Sequence, residues 1–197
     1  MSRTFIDKDR FLIRSASSEN ITGKWKEVIE DILEACKHHL GSHLISLYVG
    51  GSLPLGTAQE NKSDVDTYTI VSLSKEQIEK AYDEWVDIER KSLDNKYPFQ
   101  RGIEIHLISI DSIPENKKFQ MKVLAACAYG RDFASELPAY KLDKETLKKI
   151  RLSEERDIQI ARKDLEKGFF ARRNQEDRNM DSQKEHTKCR GSSSLEQ

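Results

Sequence analysis

The stretch that most constrains this chain is "LYVGGSLPLGTAQENKSDVDTYTIV", residues 47–71. An apolar run stops at Gly50-Gly51-Ser52, a polar loop follows, and a β-branched, aromatic run starts around Asp64-Val65-Asp66. Side chains alternate between the two faces of a strand. Asp64 and Asp66 therefore share one face, and Val65 takes the other, toward a core. Two like charges on one face repel unless something positive sits between them. A later run, "GIEIHLISI" at 102–110, reads as another strand and carries Glu104 between Ile103 and Ile105. If the two strands are neighbours, Glu104 converges on the aspartate pair.

Three carboxylates on one sheet face are costly as bare anions, and divalent cations relieve the repulsion. Mg²⁺ takes oxygen ligands and is commonly held by a few carboxylates plus substrate phosphates. The Gly-Gly-Ser fits the same chemistry. Glycine removes the Cβ that would keep a phosphate from the backbone. Successive N–H groups in a turn form an anion nest. Ser52 adds a hydroxyl. A lone Gly-Gly is usually a turn, and a lone Asp-x-Asp is usually a solvated strand end. The combination, with a strand before it and apolar residues after it, is far more specific.

The remaining pattern supplies a frame for these residues. Trp25, Val28, Ile29, Ile32, Leu33 and Cys36 recur at the helical period, predicting a helix over 24–40 that stops at Gly41. Residues 43–49 and 65–72 read as strands. Ser74 and Gln77 form a capping box. It opens a helix to about residue 92, with Ile78, Ala81, Tyr82, Trp85 and Ile88 on one side. A helix over 117–129 is expected next, then a long helix capped by Asp143 and reaching about 168. Beyond Phe170 apolar residues almost vanish, and a segment that buries so little is expected to stay disordered. The expected organisation is an α/β domain over 1–112, a helical part over 113–170 and a polar tail over 171–197.

Composition narrows the class. The formal net charge of −1 argues against broad nonspecific nucleic-acid binding, which needs a basic surface. Cys36, Cys127 and Cys189 are odd in number and far apart, as expected of a reducing compartment. The first residues lack the apolar core of a secretion signal. No run approaches the roughly 20 apolar residues that span a bilayer. A soluble, cytoplasmic protein without membrane contact is the expectation.

With these residues in hand, "GSLPLGTAQENKSDVDTY" resembles the signature of the nucleotidyltransferase superfamily related to DNA polymerase beta. That signature is an apolar strand, a Gly-Ser or Gly-Gly, a loop, then Asp-apolar-Asp. Gly51 and Ser52 match its first element, Gly56 matches a glycine frequent in the loop, and Ser63-Asp64-Val65-Asp66 match the last. "RGIEIHLI" looks like the strand of the third carboxylate, which falls on Glu104. The variant resembles small bacterial branches such as aminoglycoside and minimal nucleotidyltransferases. Thr67 departs from the pattern, which more often has an apolar residue there.

The resemblance spans residues 24–110. It implies an α+β fold, a small mixed sheet with flanking helices. It implies Mg²⁺ and the phosphates of an NTP at Asp64 and Asp66, with Gly50, Gly51 and Ser52 holding phosphates. Glu104 then completes the metal site or acts as general base. The implied reaction moves a nucleoside monophosphate, AMP from ATP, to a hydroxyl of a small molecule. A tRNA or protein acceptor of the toxin–antitoxin kind, or a nucleotide-binding module without turnover, are the alternatives. Outside the signature, "CKHHLGSH" (36–43) reads as a polar helix end rather than a metal tract, Lys62 as a solvated loop lysine, and His106 as packing beside Glu104.

Overall fold

The computed structural model describes residues 6–146 and residue 148, which lie within one compact unit. The chain forms α1 (Lys24–Leu40), β1 (Leu44–Val49), β2 (Val65–Val71), α2 (Lys75–Ala81), α3 (Asp87–Lys96), β3 (Ile103–Ser109), α4 (Glu115–Val123) and β4 (Ala126–Gly130). The four strands make one mixed sheet in the order β3-β2-β1-β4. β1 is antiparallel to β2 and to β4, while β2 and β3 run parallel. A parallel pair needs a crossover. Here α2 and α3 provide it.

Alternation along the strands sorts the core into two layers. Leu47 and Val49, Val65 and Val71, and Ile103, Ile105 and Leu107 pack with Val28, Ile29, Ile32, Trp85, Val86 and Leu93 of the helices. Tyr48, Tyr68, Ile70 and Ile108 face the other way and pack with Met121, Ala125 and Phe133. By the same alternation Asp64, Asp66, Glu104 and His106 belong to this second face.

Two elements differ from the sequence expectation. Residues 117–129 are not one helix. α4 ends at Val123, and Ala126–Gly130 pairs with β1 as the fourth strand. Sheet structure therefore continues past residue 112. A five-residue strand, Ala126-Cys127-Ala128-Tyr129-Gly130, carries too little alternation to be distinguished from a helix end. The expected helix from Asp143 begins as expected, with the Asp143 carboxylate accepting from Thr146 N–H. The rest of that helix and the tail over 171–197 lie outside the described residues.

The second difference is at Ile88, which is 63% exposed rather than on the apolar side. Ser74 and Gln77 do form the capping box. However, residues Tyr82–Val86 form a π-turn between α2 and α3. A π-turn inserts an extra residue into the helical period. Trp85 and Val86 turn inward together, and Ile88 rotates out. The same turn aims Tyr82 at β3, where its hydroxyl donates to Ile105 C=O (3.3 Å) and accepts from Leu107 N–H (3.0 Å). Tyr82→Phe leaves these two polar groups of β3 without their partner and is expected to cost about 1–3 kcal/mol. Urea unfolding measures the loss, and faster amide exchange at Leu107 locates it.

Candidate functional site

The polar loop over 50–64 closes on itself. β1 is antiparallel to β2, so the C-terminal end of β1 meets the start of β2. Gly50 N–H donates to Asp66 C=O at 2.9 Å. Gly51 has a left-handed φ of +67°, and a Cβ there would lie 2.7 Å from Asp66 Oδ2. Only glycine meets both conditions at low cost. A Cβ on Gly50 would meet the Tyr68 hydroxyl at 2.7 Å. The glycines therefore let the β1 turn lie against the carboxylate strand.

The far end of the loop is fixed by the segment before β3. Asn61 N–H donates to Phe99 C=O, Arg101 N–H to Ser63 C=O, and Val65 N–H to Gly102 C=O. The N-terminal segment holds the middle, where Ser17 N–H and Asn20 Nδ2 both donate to Pro54 C=O. Lys62 donates to Gln59 Oε1 at 3.1 Å within the loop.

The parallel register sets Asp66 directly beside Glu104 and Thr67 beside Ile105. Adjacent strands lie about 4.8 Å apart, so these two acids are close neighbours. Thr67 is buried, and its hydroxyl donates to Glu104 C=O at 2.9 Å. The residue that departs from the apolar pattern thus ties the two acid-bearing strands together. Asp64 sits one residue before β2, exposed, with Val65 fully buried on the opposite face. Burial raises the Asp66 carboxyl above the usual carboxylate range, and the nearby charges of Asp64 and Glu104 raise it further. His106 and Lys117 oppose that shift.

Three further side chains complete this face. Tyr68 lies two residues beyond Asp66 and is buried, with Lys117 of α4 over its ring at 4.0 Å. Its phenol is pushed up by burial and by Asp66, Glu104 and Asp64. His106 stacks on the same ring, centroids 6.0 Å apart, and its Nε2 lies 2.8 Å from Glu104 Oε2. His106 therefore stacks on Tyr68 and also contacts the Glu104 carboxylate, with its side chain still 41% exposed. Tyr68 was not among the residues singled out from sequence, although period-2 alternation from Asp66 puts it on the same face. Lys117, in "ENKKFQ", carried no sequence signal.

The donor set fits an oxygen-seeking divalent cation with a polyphosphate. Asp64 and Asp66 offer carboxylate oxygens under mutual repulsion. Ser52 Oγ is buried without a hydrogen-bond partner, an orphan that a phosphate oxygen would satisfy. Among the described residues, no three Asp, Glu, His or Cys side chains are already drawn together tightly enough to enclose an ion. The "CKHHLGSH" residues disperse. Buried Cys36 contacts Thr69 Oγ1 and has its thiol pushed up to about 11 by burial. His39 stacks on Trp85 and contacts Glu89, and His43 contacts Ser72. Among the described residues no helix is long and apolar enough to cross a membrane.

The sequence profile of the nucleotidyltransferase domain family matches residues 29–165. Among solved structures, the chain is similar to a spectinomycin adenyltransferase from Enterococcus faecialis, solved with ATP and spectinomycin. The identity is 16% and the TM-score 0.44, covering 64% of this chain and 63% of that one. It is also similar to the MntA-HepT toxin–antitoxin, at 12% identity and a TM-score of 0.32, covering 71% and 94%. No curated protein matches the chain.

The electrostatics make a stability prediction. A carboxyl with a raised folded-state pKa binds its proton more tightly when folded. Its ionisation therefore destabilises the fold as the pH rises from the unfolded value of about 3.9 through the higher folded value. Asp66→Asn removes that penalty. It is expected to raise Tm at pH 7, with the gain shrinking as the pH falls below the carboxylate range. Added Mg²⁺ is expected to raise Tm of the native chain and not of the variant, both read by differential scanning fluorimetry.

Proposed function

The chain belongs to the nucleotidyltransferase domain family, and from that premise we propose that it moves AMP from ATP to a hydroxyl of a small molecule. The observation that carries this reading is the contact of the glycine turn with Asp66, where a single Cβ would fill the gap. It supports a role for the glycine turn in holding phosphates beside Asp66. The nearly balanced charge of the chain supports a small acceptor over a polyanion.

Asp64 and Asp66 would hold Mg²⁺, whose charge offsets that of the ATP phosphates. The Gly50-Gly51 backbone and the Ser52 hydroxyl bind phosphate oxygens and orient the α-phosphorus toward Glu104. Glu104 takes the proton of the acceptor hydroxyl. The acceptor oxygen forms a bond to the α-phosphorus as the bond to the bridging oxygen breaks, and pyrophosphate leaves. The protein's part is positioning and charge compensation.

Incubation with labelled ATP, Mg²⁺ and a panel of hydroxylated small molecules tests the reading. Label transfer with pyrophosphate release is expected. Asp66→Ala is expected to lower it at least about 100-fold, the scale on which transition-state electrostatics are lost. Ser52→Ala is expected to raise KM for ATP about tenfold, as for a lost hydrogen bond to a charged group. Label appearing only on RNA or protein from cell extract replaces the small acceptor with a macromolecule. Mg²⁺-ATP binding without pyrophosphate release replaces the enzyme with a binding module.

A further inference from the structure

Resting on the nucleotidyl-transfer reading, we propose that His106 is a positioning residue that fixes the Glu104 carboxylate for the acceptor hydroxyl. Glu104 has a long side chain and is exposed. Directly across the register stands Asp66, whose like charge pushes the Glu104 carboxylate away. Left alone, Glu104 would sample outward rotamers. Two residues along the same face of β3, His106 Nε2 meets Glu104 Oε2 at 2.8 Å. A carboxylate oxygen only accepts, so this contact requires the proton on Nε2. It occupies one oxygen of Glu104 and leaves the other for the acceptor.

His106 is itself held. Its ring stacks on Tyr68 at 6.0 Å and 27°. Tyr68 is buried and is packed so closely against Gly50 that a Cβ there would sit 2.7 Å from the hydroxyl. A continuous stack therefore runs from the glycine turn through Tyr68 and His106 to Glu104. The position of the proton-accepting carboxylate is referred to the turn that binds the phosphates. Such an arrangement is what a reaction needs when two substrates must meet in one geometry.

Two substitutions separate the hydrogen bond from the packing. His106→Phe keeps an aromatic ring on Tyr68 and removes the donor. His106→Gln removes the ring and keeps a donor. We expect His106→Phe to lower kcat about 10–100-fold, the usual scale for a lost partner of a site ligand, with KM for ATP and the melting temperature unchanged. His106→Gln is expected to recover part of kcat. A His106→Phe variant with native kcat overturns the proposal.

A second readout does not depend on turnover. Long-range ¹H–¹⁵N spectra of the full chain are expected to show His106 protonated at Nε2, with the signal displaced in Glu104→Ala. An Nε2 without a proton, or one indifferent to Glu104→Ala, overturns the proposal as well. If the native chain transfers label to no acceptor, the functional reading fails. The spectra then decide alone whether His106 holds Glu104.

Discussion

The site depends on one backbone fact, the parallel register that sets Asp66 of β2 beside Glu104 of β3. Strand spacing alone then makes the two acidic residues neighbours on one face, with backbones about 4.8 Å apart. Other features of the site follow from keeping that costly pairing in place. Thr67 ties the strands together beneath the acids. Loop bonds at Val65, Ser63 and Asn61 fix where both strands begin. Glycine at 51 lets the turn after β1 approach the acid without a clash. A one-residue slip of β3 would send Glu104 to the opposite face and bring Ile103 or Ile105 to Asp66.

Asp66 carries an electrostatic cost at this site. Its carboxyl is raised by burial and by two neighbouring acids. A chain selected for stability alone would place an amide or an apolar residue there. The strain is tolerable because the opposite face is dense with buried aliphatic side chains from β1, β2, β3 and three helices. The candidate site lies at one end of the second face, beside the smaller of the two core layers, and the opposite face carries the larger one. This division follows from alternation. Val65, Ile103 and Ile105 anchor into the core between the very residues that remain available for chemistry.

Much of this was legible in the sequence because it rests on short periods. Short apolar and β-branched runs identified β1, β2 and β3, and the helical period with the Gly41 stop gave α1 its ends. The Gly-Gly-Ser and Asp-Val-Asp spacing pointed to the candidate site. What escaped depended on contacts between distant residues. β4 is short, and its identity comes from pairing with β1 rather than from its own composition. The π-turn breaks the helical period at a place no residue announces, which misplaced Ile88. Lys117 reaches Tyr68 because α4 packs across the sheet, and nothing in "ENKKFQ" encodes that. His106 was visible beside Glu104. Its role as a tether needed the position of the Tyr68 ring.

The contact of Tyr82 with β3 has a consequence at the level of the whole sheet. β3 is the last strand in the order, so among the described residues one side of its backbone has no strand neighbour. An open edge of this kind is a template for another chain's strand. The Tyr82 hydroxyl occupies both a donor and an acceptor at the centre of that edge. A foreign strand could not form a continuous ladder there without displacing it. The irregular turn between α2 and α3 therefore interrupts the row of edge groups on the acid-bearing strand at Ile105 and Leu107.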